Sequence, residues 1–247
     1  MSSKKIFAAN WKLNKTPEQA QAFAQDFLIQ TSEMFNQKKE VFIFPQNFSL
    51  DALSREFKSS VVQFGPQQIH TETKGAFTGE NSIDLAKSLG SKLCLIGHSE
   101  RRQFFAEANS FINKKVLLCQ ISDILPVLCI GESLEHRQKN ETLKVCFEQL
   151  ETALVGADVM KRIVVAYEPV WAIGTGQVAT LDQVKEVHTE LFKKMNALNF
   201  KNFQLLYGGS VKADNAKDLI SIPYVDGFLI GGASLEVSSF LDICNCI

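Results

Sequence analysis

The chain has 247 residues, of which 45% are hydrophobic and 21% are charged, and its formal net charge is −1. This length is sufficient for one large hydrophobic core and predicts a single α/β domain covering residues 1–247. The near-neutral charge excludes the strongly basic surface that is typical of proteins binding nucleic acids or anionic membranes, so a small ligand recognised at a local site is favoured.

The amino terminus and the cysteines predict a cytoplasmic protein. Residues 1–5 lead directly into Ile6-Phe7-Ala8-Ala9, an apolar run too short for a signal peptide or a membrane-spanning helix. Six cysteines, at positions 94, 119, 129, 146, 244 and 246, lie mostly in apolar runs and form no CxxC pair. We interpret them as buried thiols of a protein in a reducing compartment.

Eight short apolar runs recur along the chain, and an amphipathic segment follows each of them. This alternation is typical of βα units around a parallel sheet. The runs are residues 5–9, 41–44, 61–65, 92–96, 125–129, 163–167, 203–207 and 226–230. Helix start signals follow, for example Thr16-Pro17-Glu18 before residues 20–30, and Thr180-Leu181-Asp182 before residues 184–198.

Eight βα units in about 250 residues predict a (β/α)₈ barrel. The alternative is a doubly wound open sheet, but no GxGxxG follows the first strand and no P-loop signature is present. Functional residues of a barrel lie at the carboxyl ends of its strands. The residues that follow the predicted strands are polar or glycine: Asn10 and Lys12, Gln67, His98 with Ser99 and Glu100, Glu132, Glu168, Gly208-Gly209-Ser210, and Gly231-Gly232.

The stretch 163–176 is the most informative part of the chain. An apolar strand ends at Glu168, and Pro169 opens a loop that closes with Gly174 and Gly176. A carboxylate at such a position suits proton abstraction as a general base. The apolar loop, with glycines at its end, suits a lid over a reaction site.

Lys12 and His98 are the next candidates for chemistry. Lys12 follows the first strand and supplies a compact cation for a phosphate or a developing oxyanion, the alternative being a solvated lysine. His98 precedes a predicted short helix whose amino end favours a neutral imidazole, the alternative being a packing residue. His70, His136 and His188 are placed in polar loops or on helix surfaces and receive no role.

Two glycine pairs predict a phosphate site. Gly208-Gly209-Ser210 and Gly231-Gly232 follow the seventh and eighth strands. Barrels commonly bind phosphate there, through backbone N–H groups and a helix terminus. Either pair alone could be a simple turn. Their occurrence at successive strand ends favours the phosphate site.

Several of these segments resemble the triosephosphate isomerase family, and the resemblance covers nearly the whole chain. The segments are residues 10–12, 75–80, 97–102, 129–132, 166–176, 207–210 and 226–234. Segments 97–102, GHSERR, and 166–176, AYEPVWAIGTG, are the most specific. Departures from the family pattern lie off the chemistry, at Pro66-Gln67-Gln68, Asn14 and Gln177.

The resemblance implies interconversion of dihydroxyacetone phosphate and D-glyceraldehyde 3-phosphate through an enediolate, a step of glycolysis and gluconeogenesis, without a metal or organic cofactor. It implies Glu168 as the general base and His98 as the electrophile, and it assigns oxyanion stabilisation to Lys12 and Asn10. The remaining implied positions are Gly174, Ser210, Gly231 and Gly232 for phosphate binding, with Glu100 and Ser99 in support.

The resemblance also implies a homodimer in which the loop 75–80, with Phe77 and Thr78, enters the partner subunit. No nucleic acid or membrane partner is implied. Two alternatives remain open from the residues. One is another barrel enzyme acting on a phosphorylated sugar, and the other is a non-catalytic phosphate-binding barrel.

Overall fold

The computed structural model describes residues 4–31, 39–174 and 177–247. These residues form one eight-stranded sheet in which every paired strand is parallel, in the order β3-β2-β1-β8-β7-β6-β5-β4. The strands are β1 (Lys5–Asn10), β2 (Lys39–Phe44), β3 (Gln63–Phe64), β4 (Leu93–Ile96), β5 (Leu125–Ile130), β6 (Ile163–Tyr167), β7 (Phe203–Tyr207) and β8 (Gly227–Ile230).

Helices alternate with the strands along the described parts of the chain. They are α1 (Pro17–Thr31), α2 (Leu50–Phe57), α3 (Ile83–Ser88), α4 (Ser99–Phe105), α5 (Asn109–Ile121), α6 (Leu134–Gln138), α7 (Thr142–Ala153), α8 (Leu181–Ala197), α9 (Ala213–Ser221) and α10 (Val237–Cys244). None of these helices is long and apolar enough to cross a membrane.

The sheet closes into a barrel at a narrow contact between β3 and β4. Two hydrogen bonds join the strands there: the N–H of Lys92 donates to the carbonyl of Phe64 at 3.1 Å, and the N–H of Leu95 donates to that of Pro66 at 3.0 Å. Gly65 permits this approach, since a Cβ on Gly65 would lie 1.7 Å from the carbonyl oxygen of Leu93. The predicted (β/α)₈ barrel is therefore confirmed.

Each of the eight predicted apolar runs contains a strand, but the third run is mostly outside the sheet. Residues 61–65 were expected to form a strand, and only Gln63 and Phe64 do so, although the N–H of Gly65 still donates to the carbonyl of Ile43 on β2 at 3.1 Å. Val61 is 68% exposed, so its β-branched side chain is not part of the core. The strand is therefore shorter than the apolar run, because Val61 lies outside the core.

Alternation along the strands divides the apolar residues into two cores. On β1, Ile6 and Ala8 point into the barrel, whereas Phe7 and Ala9 pack against the surrounding helices. The inner core consists of Ile6, Ala8, Phe42, Phe44, Leu93, Leu95, Val127, Cys129, Val164, Ala166, Leu206 and Leu229. The barrel interior is filled by side chains, so ligands can reach only its two ends.

Helices α1 and α8 begin where the sequence predicts. Thr16 Oγ1 accepts the N–H of Gln19 at 3.3 Å, and Gln19 Oε1 accepts the N–H of Thr16 at 2.9 Å. Thr180 and Gln183 form the same reciprocal pair before α8. These bonds satisfy N–H groups that the first turn of a helix leaves without an intrahelical partner.

His188 corrects one expectation, and the cysteines largely meet another. His188 is fully buried in α8, not on the helix surface, and burial lowers its pKa to about 4. Its neutral Nδ1–H donates to the carbonyl of Tyr224 at 3.1 Å. All six cysteines are free thiols, five of them are buried, and Cys246 is half-buried.

Candidate active site

A cavity of about 340 Å³ lies at the carboxyl ends of the strands and brings together eight of the sequence-predicted site residues. These are Asn10, Lys12, His98, Glu168, Gly174, Ser210, Gly231 and Gly232. Ser99 and Glu100 are not among the lining residues of this cavity, but they contact residues that are. The N–H of Ser99 donates to Glu168, and Glu100 accepts from Lys12. Phe77 and Thr78 lie on an exposed loop elsewhere.

Glu168 follows β6, and its side chain is almost completely buried against His98. Its Oε1 lies 2.9 Å from His98 Nε2, and its Oε2 accepts the N–H of Ser99 at 2.9 Å. His98 Nδ1 accepts the N–H of Glu100 at 3.3 Å, at the first turn of α4. With Nδ1 as the acceptor of this backbone N–H, the ring donor is Nε2, which faces Glu168.

Glu168 is an ionised carboxylate in spite of its burial. Burial alone would raise its pKa, but His98, the N–H of Ser99 and Lys12 act in the opposite direction and lower the pKa below the ordinary 4.5. A carboxylate with a lowered pKa is deprotonated at neutral pH. Glu168 is therefore in the form that accepts a proton.

Lys12 has a strained backbone that several polar contacts fix in place. Its φ is 53°, in the left-handed region that L-residues other than Asn and Asp rarely adopt. Its N–H donates to Asn10 Oδ1 at 3.1 Å, and its carbonyl accepts from Gln67 Nε2 at 2.9 Å. Its Nζ donates to Glu100 Oε1 at 2.5 Å. Strain of this kind is concentrated at functional sites, where it pre-orients a group.

The turn at Gly231 and Gly232 lies directly beside the Lys12 side chain. A Cβ on Gly231 would be 3.6 Å from Lys12 Cε, so the ammonium stem and the glycine backbone share one wall of the cavity. Trp11 fixes this turn to β1, because its buried Nε1 donates to the carbonyl of Ser234 at 3.2 Å. The wall combines a cation with backbone N–H groups, which suits a phosphate.

Gly208 and Gly209 allow the backbone after β7 to approach Glu168. A Cβ on Gly208 would lie 3.0 Å from Glu168 Cγ, and one on Gly209 would lie 2.2 Å from Tyr207 Oη. A larger residue at Gly208 would displace the carboxylate. The sequence predicted a phosphate turn here, and the structure adds this steric requirement.

The loop after β6 is anchored through Glu132, to which the sequence assigned no role. Trp171 Nε1 and Tyr167 Oη donate to Glu132 Oε1 at 2.9 Å and 3.1 Å. Within the described residues, Glu132 Oε2 is buried without a partner, and burial raises the pKa of this carboxyl group. The predicted lid continues to Thr175 and Gly176, which lie outside the described residues.

Comparison with known proteins gives the family. The family model described as Triosephosphate isomerase matches residues 5–247. Among proteins named triosephosphate isomerase, one from Bdellovibrio bacteriovorus is 48% identical over 242 residues, covering 98% of this chain and 99% of its own length. One from Aquifex aeolicus is 40% identical, covering 97% and 98% of the two chains, and one from Xanthomonas campestris pv. campestris is 42% identical, covering 98% and 97%. The chain belongs to the triosephosphate isomerase family.

Proposed function

We propose that this protein is an isomerase that interconverts dihydroxyacetone phosphate and D-glyceraldehyde 3-phosphate by proton transfer through an enediolate. The observation that carries the proposal is the buried Glu168 carboxylate, 2.9 Å from His98 Nε2, in a cavity that also contains Lys12. The names of the relatives support the same reaction.

Each group has a role that follows from its chemistry. The carbon acid next to a carbonyl is weak, so its proton requires a nearby carboxylate base, Glu168. His98 donates its Nε2 proton to the carbonyl oxygen, and Lys12 with Asn10 stabilises the negative charge that develops there. His98 and Glu168 pair with each other in this structure, so the substrate has to insert between proton donor and base.

The substrate phosphate is proposed to bind in the same cavity, at the wall that the Gly231-Gly232 turn shares with Lys12. Gly174, Ser210, Gly231 and Gly232 line this cavity, and backbone N–H groups at such positions are suited to bind a phosphate. Binding energy from a phosphate remote from the reacting carbons orients the substrate for proton transfer. The proposal requires no metal or organic cofactor, and it places the protein in the cytoplasm.

One assay separates this proposal from its alternatives. Purified protein is given dihydroxyacetone phosphate, and glyceraldehyde 3-phosphate is detected with a coupled dehydrogenase. Turnover that is lost in Glu168→Gln supports the isomerase. Turnover of another phosphorylated sugar alone would favour a different barrel enzyme, and phosphate binding without any turnover would favour a non-catalytic barrel.

We propose further that the active unit is a homodimer formed through the loop 75–80. All residues of this loop are exposed, and Phe77 remains 43% exposed although its ring packs at a tilt against that of His70, with ring centroids 4.1 Å apart. Two large apolar side chains near the Lys12 segment, Leu13 and Phe48, are 85% and 87% exposed. Large apolar side chains that are left exposed in this way favour a second protein surface that covers them.

Thr78→Arg tests the dimer, because a long cation would be buried at the proposed contact. We expect weaker association in analytical ultracentrifugation and a lower kcat, since the strained Lys12 loses support from the partner. Ser238→Arg, on the exposed face of α10, is the matched control and should change neither. A fully active Thr78→Arg monomer would contradict the proposal.

A further inference from the structure

A second cavity lies at the opposite end of the barrel from the active site. Its volume is about 820 Å³, within the range of small-molecule sites. It is bounded by residues at the amino ends of β1 to β4 and at the carboxyl ends of α2 and α3. Nothing in the proposed isomerisation uses this face, because the reacting groups lie at the carboxyl ends of the strands.

The lining of this cavity is strongly cationic, although the whole chain carries a net charge of −1. Five basic side chains line it: Lys4, Lys39, Arg55, Lys58 and Lys92. Glu40 is the one acidic residue among the lining residues, and its Oε2 accepts from Arg162 at 2.7 Å. The positive charge of the lining is thus not balanced by its own carboxylate.

Within the described residues, four of the five cations form no ion pair. Lys39 Nζ donates to the carbonyl of Cys244 at 2.6 Å, and Arg55 forms an ion pair with Asp51. Lys4, Lys58 and Lys92 are exposed at the rim, and no carboxylate in the described parts of the chain forms an ion pair with any of them. Like charges brought together without counter-charges repel one another, and an anion would relieve that repulsion.

The floor of the cavity is apolar. Phe57, Val62 and Phe64 are buried there, with the rings of Phe57 and Phe64 6.4 Å apart. Gly90 leaves one wall open, since a Cβ on it would meet only Phe64 Cζ at 3.8 Å and Ser54 Oγ at 3.9 Å. The cavity therefore offers a cationic rim, an apolar floor and a serine hydroxyl.

We propose that this cavity binds a small organic polyphosphate with a planar apolar group, of the nucleoside triphosphate class. The lysine ammonium groups act as point charges for several phosphate oxygens, and the apolar floor receives the ring. A concave site of this volume accommodates a ligand of that size, whereas a nucleic acid backbone or an acidic protein segment would contact an extended surface. The site is independent of the proposed isomerisation.

Isothermal titration calorimetry with ATP as the probe tests the proposal, with tripolyphosphate and adenosine as partial ligands. The pocket variant is Lys58→Glu/Lys92→Glu, and Lys58→Gln/Lys92→Gln is the milder alternative if charge reversal disturbs folding. Lys185→Glu/Lys217→Glu makes the same charge change on exposed lysines of α8 and α9. Circular dichroism and the isomerase assay establish that each variant is folded.

We expect ATP to bind wild-type protein more tightly than either partial ligand, with an affinity that falls as salt is added. The pocket variant should bind ATP at least about tenfold more weakly, and the control variant should remain within about twofold. Lys12→Met should also retain ATP binding, which separates this site from the active-site cavity.

Three results would overturn the proposal. The first is equal ATP affinity in wild type and the pocket variant. The second is that tripolyphosphate or adenosine binds as tightly as ATP. Tight tripolyphosphate binding would mean that the apolar floor contributes nothing, and tight adenosine binding would mean that the lysines contribute nothing. The third is no heat of binding at millimolar ATP, including the case in which these lysines bind an RNA oligonucleotide or an acidic peptide instead.

Discussion

Two buried carboxylates at neighbouring strand ends, Glu168 after β6 and Glu132 after β5, have opposite electrostatic behaviour. Burial is the largest influence on both, and it acts to raise both pKa values. The pKa of Glu168 is nevertheless lowered by His98, the N–H of Ser99 and Lys12. The pKa of Glu132 remains raised, because its direct partners are the neutral donors Trp171 and Tyr167, both on one oxygen.

The difference shows that the groups around each carboxylate, and not burial alone, decide which carboxylate is ready to act as a base. Both oxygens of Glu168 have a donor, whereas one oxygen of Glu132 is without a partner in the described residues. Glu132 instead fixes the loop by accepting from Trp171. Four measurements can break or sharpen this contrast.

Glu168→Gln should have the largest effect. We expect kcat to fall by at least about 10²–10⁴, the usual contribution of a positioned acid or base, while phosphate binding is retained. Steady-state kinetics and binding of inorganic phosphate measure the two quantities. Glu132→Gln is the matched control, and it should retain most of the activity. A Glu168→Gln enzyme with half the wild-type kcat would refute the assignment of the base.

Glu132→Leu should destabilise the fold by about 2–3 kcal/mol, because it removes the carboxylate that accepts from the buried Tyr167 hydroxyl and from Trp171. Glu132→Gln keeps a carbonyl acceptor and should cost less than about 1 kcal/mol. Urea unfolding at a fixed protein concentration measures both free energies. Equal stabilities of the two variants would show that the hydrogen bonds to Glu132 contribute little.

The two carboxylates should give opposite dependences of stability on pH. A lowered pKa means that the contribution of Glu168 is present above about 4.5 and is lost as pH falls through its folded-state pKa. A raised pKa means that the contribution of Glu132 is present below about 4.5 and is lost as pH rises through its folded-state pKa. Urea unfolding from about pH 4 to 8 should therefore show Glu132→Gln gaining stability relative to wild type as pH rises.

Trp171→Phe should have the smallest effect, about 0.5–1.5 kcal/mol, because it removes one neutral hydrogen bond to Glu132. The loss of this donor should also raise the pKa of Glu132 further, since the Trp171 N–H acts to lower it. Urea unfolding combined with infrared titration of the carboxyl group checks both quantities. An unchanged Glu132 pKa would mean that Trp171 does not tune this group.

The barrel and the grouping of the site residues could be predicted from the sequence, because both depend on local patterns. Apolar runs alternate with amphipathic segments, and a parallel barrel brings every strand end to one face. Polar residues directly after the runs, such as Lys12, His98 and Glu168, had to meet there. The fold class alone therefore predicts which residues share the cavity, without knowledge of side-chain geometry.

Contacts between remote segments could not be predicted in the same way. The bond from Trp11 to the carbonyl of Ser234 joins residues 223 positions apart. The contact of Glu132 with Tyr167 depends on the register of β5 and β6, in which Ile130 is opposite Tyr167. No short-range pattern in the sequence specifies either of these.

His188 is a different case, because the sequence contained a usable signal. Val184, Val187 and Leu191 form the buried stripe of α8, and His188 lies in the same stripe at helical spacing. Its polarity favoured a surface position in the prediction. Periodicity was the better guide, since a neutral imidazole can be buried when a backbone carbonyl accepts its N–H.

The contact between β3 and β4 determines where this barrel should first open in solution. Neighbouring strands such as β5 and β6 pair over four residues, whereas the backbone hydrogen bonds that join β3 and β4 among the described residues are those from Lys92 and Leu95. Amide protons exchange with solvent through local openings, and segments with few supporting bonds open most often. In deuterium oxide, the Lys92 and Leu95 amides should therefore exchange before those of Val164 and Val165. Such exchange would mean that the barrel opens transiently into a sheet whose two edge strands are β3 and β4.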